Sequence, residues 1–555
     1  MKTITFYSYK GGVGRTLALV NIANRLAEFG KKVCVMDFDL EAPGLYHKYK
    51  HNTGEVKQGL VDYIYEFAVN KNLPQSIGEY AYEIPKYKYS DEKELEKRQN
   101  NIVFIPAGNS ESVDYWKKLS KISWWKLFYE KDSEGLPFFL DLKERIKKEF
   151  NTDYLLIDTR TGITDVAALT MSILADSIVL LAVNNEENMF GMKMIIKTVT
   201  KKENNLLGID RQIHFVLTRL PQVTSPEGWT RDEGIKNQIK GKIEAAFRDS
   251  NEKLCSFNVI HSNDEIALYD KTPVNDLEYL ALFNSLTEND LSKEEKEKLN
   301  NLKRAEELLQ RAYDSFRRND PRLLTQLDEI EKLVPQLPDV YLLRGRYYAD
   351  YRRDPNRAIE LLSKAIDLKD ISGDALYFRA VAYLLSKDRQ NALSDFNEYI
   401  SKNYQKYRID VLSIRISVMH NLGFEKEKLI GECQELIEKY PNYAFLYNAI
   451  SCLYQEQQKY ESALKNIYKA IELNSEQGLF YATLAEINFC MDNKLEFYRN
   501  MDVALSKNYI IESILIDGEY IKNIYKQVVN DPEFIRILNK HNKTYFIELL
   551  QKDTV

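Results

Sequence analysis

Short runs of β-branched and other apolar residues alternate with longer segments of helical periodicity over residues 1 to about 285. Most of these runs are too apolar to leave one face in water, so each strand should be covered by helices on both sides. This order predicts β-α-β units around a mostly parallel sheet. The predicted strands are Thr3–Tyr7, Val33–Asp37, Ile102–Ile105, Tyr154–Asp158, Ser177–Val183, His214–Leu217 and Phe257–Ile260.

A second pattern replaces the strand signals in the rest of the chain. Ala358, Ala392, Ala463 and Phe497 mark equivalent places in similar segments, at separations of 34, 71 and 34 residues. The 71 divides as 37 plus 34 if Leu429 marks a degenerate copy. A helix-turn-helix period of about 34 residues is the tetratricopeptide length. Residues 335–510 therefore resemble tetratricopeptide repeats, and an irregular α-helical domain is the alternative.

The two patterns predict the organisation of the chain. The segment Glu288–Lys303 contains few large apolar residues besides leucines, which suits a linker or an exposed helix. We expect an α/β domain over 1–285, a charged linker and helical connector over 286–334, the repeats over 335–510 and a helical C-terminal cap over 511–555. Residues 531–550 alternate apolar and basic residues, which a polar-faced cap explains better than a membrane-surface helix.

Composition excludes several classes of protein. With 555 residues the chain is too long for one hydrophobic core, and its 44% hydrophobic and 29% charged residues are ordinary for globular domains. The net charge of −6 creates no global field for nucleic acid or anionic lipid. The apolar run Ile178–Val183 is far shorter than a membrane span, and no secretory leader pattern is present. Five cysteines without a C-x-x-C pair indicate a reduced, cytoplasmic protein without structural metal.

The strongest chemical signal is the glycine loop Tyr9-Lys10-Gly11-Gly12-Val13-Gly14-Arg15-Thr16, between the first predicted strand and the helix Leu17–Glu28. Glycines let a backbone wrap closely around phosphate oxygens, and the helix N-terminus adds a positive dipole end. Thr16 is placed to put a hydroxyl on Mg²⁺. The loop departs twice from G-x-x-x-x-G-K-[ST], because Tyr9 replaces the first glycine and Arg15 replaces the lysine.

The sequence K-G-G-V-G-R-T resembles the deviant Walker A loop of the ParA/MinD family of dimeric ATPases, in which a lysine at the place of Lys10 is the distinguishing residue. The resemblance implies ATP and Mg²⁺ as cofactors and a homodimer in which Lys10 reaches the partner's phosphates. Arg15 keeps the positive charge, but its planar head is larger than an ammonium group. Nucleotide binding is therefore a firmer expectation than fast hydrolysis.

Companion motifs follow in the family's order. The second strand ends at Asp37 and Asp39, and a Walker B strand ends at Asp158 before a switch II turn at Thr159–Gly162. The segment Ile102–Gly108 looks like the strand-end P-A-G of MinD-type proteins. By this resemblance Asp39 and Lys10 are catalytic, and Thr16, Asp37 and Asp158 hold the metal. The nucleotide-binding set that it implies is Lys10, Gly11, Gly12, Val13, Gly14, Arg15, Thr16, Leu17, Arg219 and Pro221.

Some assignments stay open at this stage. Thr218, Arg219 and Pro221 stand where the family usually has an asparagine on adenine, so preference for adenine comes from the resemblance alone. Arg160 could sense the γ-phosphate or pair with Asp165. The tryptophans at 116, 124 and 125 are interpreted as core rather than as a partner surface. Nucleic-acid binding through lysine pairs is considered but not favoured.

The sequence thus predicts a P-loop parallel-sheet domain of ParA/MinD type followed by an all-α solenoid of tetratricopeptide type. The favoured function is a Mg-ATP-dependent dimerising switch ATPase whose nucleotide state reaches an unknown protein partner through the solenoid. One alternative is a nucleotide-binding scaffold in which Arg15 has removed turnover. Another, raised by the fusions of this family, is a bacterial conflict or phage-defence component.

Overall fold

The computed structural model describes residues 1–53, 55–84, 102–201, 208, 210–222, 226–248, 253–262, 277–368, 373–402, 409–515 and 519–552. The chain divides into two compact units. The first contains Met1–Ala312 and Asp328–Pro335, and the second contains Tyr313–Leu327 and Gln336–Val555. The segment 286–334, expected to be a linker and connector, is mostly helical and is shared between the two units, and its Leu299 is buried in the core of the first.

The first unit contains an eight-stranded sheet. Its strands are β1 (Lys2–Ser8), β2 (Val33–Phe38), β3 (Tyr82–Ile84), β4 (Ile102–Ile105), β5 (Tyr154–Thr159), β6 (Ser177–Val183), β7 (Gln212–Leu220) and β8 (Leu254–His261). They lie in the order β3-β4-β2-β5-β1-β6-β7-β8. Neighbouring strands are parallel except β3, which is antiparallel to β4. The predicted α/β class and every predicted strand are confirmed, whereas β3 was not predicted.

Helices cover both faces of this sheet. On β2, Val33 and Val35 belong to one apolar core and Cys34 and Met36 to another, so successive side chains are buried on opposite faces. The helices are α1 (Arg15–Glu28), α2 (Leu45–Thr53), α3 (Leu60–Ala68), α4 (Val113–Lys121), α5 (Trp124–Phe128), α6 (Gly135–Glu149), α7 (Asp165–Leu169), α8 (Glu186–Val199), α9 (Pro226–Glu244), α10 (Leu277–Thr287), α11 (Lys293–Arg317) and α12 (Arg322–Leu333). The last two pass from one unit to the other.

Helices also form the second unit. They are α13 (Pro338–Asp350), α14 (Pro355–Asp367), α15 (Asp374–Leu385), α16 (Arg389–Ser401), α17 (Asp410–Asn421), α18 (Lys426–Lys439), α19 (Ala444–Glu456), α20 (Tyr460–Leu473), α21 (Gly478–Cys490), α22 (Lys494–Ser506), α23 (Glu519–Val528), α24 (Pro532–Lys540) and α25 (Tyr545–Lys552). The predicted all-α C-terminal region is confirmed. None of the helices in the described part of the chain has the length and apolar character that a membrane crossing requires.

The marker positions of the sequence repeat share one structural place. Ala358, Ala392, Leu429, Ala463 and Phe497 each lie in the second helix of a consecutive pair, and each is at most 1% exposed. In the first pair a small residue, Gly345, lies against the helix that contains Ala358. A Cβ at Gly345 of α13 would lie 2.7 Å from Leu362 Cγ of α14, so the two helix backbones approach closely there. Their assignment to tetratricopeptide repeats stays an interpretation.

The interpretation of the tryptophans as core holds for only one of them. Trp124 is half-buried and stacks on Phe128 and Phe139. Trp116 and Trp125 are 46% and 64% exposed, so the prediction was wrong for these two. They lie on the outward faces of the short helices α4 and α5, where helical spacing alone does not distinguish core from surface.

Candidate functional site

The candidate site lies at the carboxyl edge of the sheet, where β1, β2 and β5 end side by side. The register pairs Phe6 of β1 and Asp37 of β2 with the same residue of β5, Asp158. The glycine loop follows β1 at this edge and leads into α1. Ligands of open parallel sheets bind outside the carboxyl ends of the strands. Three of the segments singled out by sequence are therefore neighbours.

The loop backbone adopts the conformations that glycine permits. Gly12 and Gly14 have φ of 74° and 85°, and Gly14 is the N-cap of α1. A Cβ at Gly11, Gly12 or Gly14 would meet no atom within 4 Å. These glycines therefore serve the backbone path and leave the loop open, since Gly11 and Gly12 are exposed. Val13 is buried and anchors the loop to the core below it.

Arg15 turns inward and joins two of the predicted acidic residues. Its Nη2 donates to Asp39 Oδ2 at 2.8 Å, and its Nε donates to Asp158 Oδ1. Thr16 Oγ1 donates to the other oxygen of Asp158, Oδ2, at 2.7 Å. Arg15 is 9% exposed and Asp158 is fully buried. The structure thus brings together Arg15, Asp39, Asp158 and the hydroxyl of Thr16 that is predicted to bind the metal.

Asp37 lies beside this cluster and is fully buried. Its carboxylate accepts hydrogen bonds from the backbone N–H of Leu45 at 3.1 Å and of Asp39 at 3.2 Å. Burial, reinforced by the charges of Asp158 and Asp39, raises the pKa of Asp37 well above its ordinary value. Burial also raises the pKa of Asp158, although Arg15 and Thr16 oppose that change. The site thus concentrates negative charge, which favours a cation between the carboxylates.

Lys10 has a partner that sequence reasoning missed. Its Nζ lies 2.7 Å from Glu187 Oε1 on α8, and the two side chains are 47% and 68% exposed. The hydrogen bond to Glu187 raises the pKa of Lys10. Tyr9, the replacement for the first glycine, packs against the same helix: a Cβ at Gly191 would lie 2.2 Å from Tyr9 Cγ and Cδ1. Both Tyr9 and Lys10 therefore contact α8.

The switch II turn is held from two sides. Tyr7 of β1 is fully buried, and its hydroxyl donates to the carbonyl oxygen of Gly162 at 3.0 Å. Arg160 pairs with Glu41, whereas Asp165 accepts a hydrogen bond from Tyr129 at 3.2 Å. Pairing of Arg160 with Asp165 was thus the wrong one of the two alternatives, and the other, contact with a γ-phosphate, stays a prediction.

The residues predicted to contact the base lie at the end of β7. Thr218 is buried and donates to Ala182 O at 3.3 Å. Arg219 and Pro221 are exposed, and Arg219 has a left-handed φ of 57°. Within the described ranges, no hydrogen bond or ion pair joins Arg219 or Pro221 to the glycine loop. Their contact with a base stays a prediction.

A family comparison matches this part of the chain. Residues 1–210 match the family model described as AAA domain. The N-terminal part of the chain is a ParA/MinD-like P-loop domain. The family match and the motifs around Lys10, Asp39 and Asp158 together carry this assignment.

Solved structures resemble the ParA/MinD-like domain at low identity. The cell division ATPase MinD of Pyrococcus furiosus is 17% identical, with 52% of this chain and 98% of that chain covered and a TM-score of 0.33. MinD of Pyrococcus horikoshii, complexed with Mg-ADP, is 21% identical, with coverages of 48% and 83% and a TM-score of 0.30. A Cyanothece McdA variant in complex with ATP is 16% identical, with coverages of 53% and 99% and a TM-score of 0.34. Scores of this size carry no functional argument.

One curated relative aligns with a short part of the chain. A protein of Dictyostelium discoideum, described as a DnaJ homolog subfamily C member 3 homolog, is 32% identical over 79 residues. The alignment covers 14% of this chain and 16% of that protein. The chain thus spans about one sixth of this relative.

The chemical groups around the glycine loop are of the types that bind a nucleotide and Mg²⁺. The open, glycine-formed loop before the N-terminus of α1 suits phosphate oxygens, and hydroxyl and carboxylate oxygens are the ligands that Mg²⁺ prefers. Arg15 Nη1 is buried without a hydrogen-bond partner, and an anionic oxygen would satisfy it. In the described part of the chain, however, no group of three His, Cys, Asp or Glu side chains is arranged to hold a metal ion. Of the predicted ligands, Thr16 and Asp158 are thus bonded to each other, and Asp37 is bonded to backbone N–H groups.

Proposed function

We propose that the protein is a switch ATPase that binds Mg-ATP at the loop Lys10–Thr16, dimerises around the nucleotide and reopens after hydrolysis. The observation that carries this proposal is the cluster at the carboxyl ends of β1, β2 and β5, in which Arg15 contacts Asp39 and Asp158 and Thr16 donates to Asp158. Phosphoryl transfer needs little beyond positioning and charge stabilisation. This cluster contains side chains that can position the reactants and a cation that can stabilise charge.

Each residue has a proposed task. The loop backbone and the N-terminus of α1 hold the phosphates, and Thr16, Asp37 and Asp158 hold Mg²⁺, which neutralises charge on the phosphates when bound. Asp39 orients the attacking water. Lys10 reaches the phosphates bound by the second copy, so that nucleotide binding and dimerisation become one event. Support for the cofactors comes from the open glycine loop before α1 and from the hydroxyl and carboxylate oxygens beside it.

Phosphate release by the purified full-length protein tests the ATPase. We expect Mg²⁺-dependent turnover that both Asp39→Ala and Lys10→Ala abolish, since each removes a proposed catalytic group. Calorimetry with a non-hydrolysable ATP analogue provides the binding reference for all three proteins. If the wild type releases no phosphate while the analogue binds, the protein is not an ATPase. If no nucleoside triphosphate binds in the presence of Mg²⁺, the entire proposal fails.

A second candidate function is a nucleotide-binding scaffold without turnover. It is favoured by the contact of Arg15 with Asp39, because this contact occupies the carboxylate that would orient water. The scaffold predicts nucleotide-dependent dimer mass with no phosphate release. Light scattering with ATP and with the analogue separates the candidates: the switch returns to monomer as ATP is consumed, whereas the scaffold stays dimeric with both ligands.

We further propose that the helix pairs from 338 to 506 bind a protein partner and respond to the nucleotide. Support comes from the five consecutive helix pairs, each with a buried residue at the equivalent place in its second helix, a regularity typical of repeat proteins with extended binding surfaces. Hydrogen exchange of the full-length protein with and without Mg-ATP tests the response. Altered protection in these helices is expected. Unchanged protection there, with altered protection in the loop Lys10–Thr16, would contradict the relay.

A further inference from the structure

Arg15 is placed between two carboxylates that are proposed to serve a divalent cation and its water. The Nε and Nη2 atoms form one edge of the guanidinium, and this edge faces both acids: Nη2 lies 2.8 Å from Asp39 Oδ2 and Nε contacts Asp158 Oδ1. The side chains of Arg15 and Asp39 are each 9% exposed, and that of Asp158 is fully buried. The arginine therefore neutralises charge in a place with little access to water.

This arrangement engages the carboxylate oxygens that a divalent ion would need. Mg²⁺ needs oxygen ligands at about 2.0–2.1 Å in near-octahedral geometry. Asp39 Oδ2 and Asp158 Oδ1 are instead directed at N–H donors, and Asp158 Oδ2 accepts from Thr16 Oγ1 at 2.7 Å. In keeping with this, no metal-holding group of three acidic, histidine or cysteine side chains exists in the ranges that the structure describes.

The guanidinium also retains an unused donor. Nη1 of Arg15 is buried and has no hydrogen-bond partner. A buried donor without an acceptor is costly, so the closed arrangement leaves Arg15 incompletely satisfied. A phosphate group offers several anionic oxygens, and arginine binds such groups through two parallel hydrogen bonds. The residue lies directly after the glycine loop, at the first position of α1, which is where phosphates bind in loops of this kind.

We propose that Arg15 is an internal counter-ion that excludes divalent cations from Asp39 and Asp158 in the nucleotide-free protein, and that a nucleoside di- or triphosphate opens the cation site by drawing the guanidinium away. The inference rests on the proposed function for the identity of the ligand. It adds an order of binding to that function: the nucleotide binds first, and the metal ion binds after it. A lysine at this place has no planar fork to bridge two carboxylates, so the closure is a consequence of the arginine.

Binding of Mn²⁺ to the full-length protein without nucleotide tests the exclusion, with free Mn²⁺ measured by electron paramagnetic resonance. We expect the wild type to leave Mn²⁺ free and Arg15→Gln to bind one ion at least tenfold more tightly. Arg25→Gln is the matched control, because Arg25 is a buried arginine of the same helix that pairs with Glu28. It should behave as the wild type. Equal Mn²⁺ affinity in the wild type and Arg15→Gln would overturn the proposal.

A second variant keeps the test decisive if Arg15→Gln does not fold, since that change leaves two buried carboxylates without a cation. Arg15→Lys retains the charge and should bind Mn²⁺ more tightly than the wild type; a folded Arg15→Lys with wild-type affinity would overturn the proposal. A further arm adds ADP, corrected for the Mn–ADP complex without protein, and should produce protein-bound Mn²⁺ in the wild type. The nucleotide-free arms do not require nucleotide binding, so failure of the proposed function and failure of the exclusion give different results.

Discussion

The ring of Tyr9 lies against the backbone of Gly191. A Cβ at Gly191 would be 2.2 Å from Tyr9 Cγ and 2.5 Å from Cε1, closer than real Cβ atoms come to other heavy atoms. The pair explains the first departure of the loop from the ordinary P-loop pattern. The side chain that replaces a glycine is accommodated by a glycine on α8, the helix that follows the neighbouring strand β6.

We expect Gly191→Ala to destabilise the first unit by about 1–3 kcal/mol, the usual cost of overpacking, despite the helix propensity that alanine adds. In a Tyr9→Gly background the clash is gone, and the same change should stabilise by up to about 1 kcal/mol. Calorimetric unfolding of the four proteins measures this coupling. Gly241→Ala is the control, because a Cβ there meets nothing within 4 Å. Additive effects of the two changes would contradict the contact.

The ion pair between Lys10 and Glu187 should restrain the lysine within its own copy. Glu187→Gln removes the charge that holds Lys10, so we expect nucleotide-dependent dimerisation to become up to about fivefold tighter, a modest effect because both side chains are exposed. Sedimentation with a non-hydrolysable ATP analogue measures it. Glu186→Gln removes the adjacent carboxylate and leaves the ion pair intact. Equal dimer affinities for the two variants would show that the pair exerts no restraint.

His214 should make stability depend on pH. Burial lowers the pKa of His214 from 6.5 to about 4, so the unfolded chain binds more protons than the folded one between these values. Stability is therefore present above pH 6.5 and is lost as the pH falls towards 4, by about 3 kcal/mol from this residue. Urea unfolding at pH 7 and 4.5 should show a smaller loss for His214→Gln than for the wild type. Parallel losses in the two proteins would refute the assignment to His214.

In the second unit, a methyl group added at a close helix crossing should lower stability, whereas one added at an open helix position should not. Gly345→Ala places a methyl group 2.7 Å from Leu362 Cγ and 3.3 Å from the carbonyl oxygen of Ala358. We expect a net loss of about 1–2 kcal/mol, since overpacking exceeds the gain in helix propensity. Gly431→Ala on α18 meets nothing within 4 Å and should stabilise by up to about 1 kcal/mol. Melting by calorimetry should move the two variants in opposite directions, and a shift in the same direction would argue against close crossing at Gly345.

The strands of the first unit could be predicted because burial on both faces makes them continuous apolar runs. Val33, Val35 and Met36 illustrate this, since adjacent side chains enter different cores. The strand β3 could not be found in this way. It contains three residues, of which only Ile84 is buried, and its pairing with β4 comes from long-range contact rather than from its own pattern.

The individual segments of the candidate site could be recognised from sequence, but their contacts could not. The pairing of Lys10 with Glu187 depends on β6 lying beside β1, which the order of strands along the chain does not reveal. An acidic pair at the start of a helix after an apolar strand was the available signal. The inward turn of Arg15 depends on two buried carboxylates that no local pattern joins to it. The charge of Arg15 could be predicted from sequence, whereas the position of that charge depends on tertiary packing.

The hydroxyl of Tyr7 attaches one end of the switch II turn to a central strand through the carbonyl oxygen of Gly162. If that turn moved away as a whole, a phenol group in the interior would lose its acceptor, so rearrangement there should pivot about Gly162 rather than displace it. Gly162 itself has a left-handed φ of 78°, and a Cβ there would meet no atom within 4 Å, which suits a hinge. Motion in this part of the molecule is therefore expected to be a rotation of Arg160–Thr161 on one side and Ile163 on the other, about a fixed point, while Thr159 stays in β5.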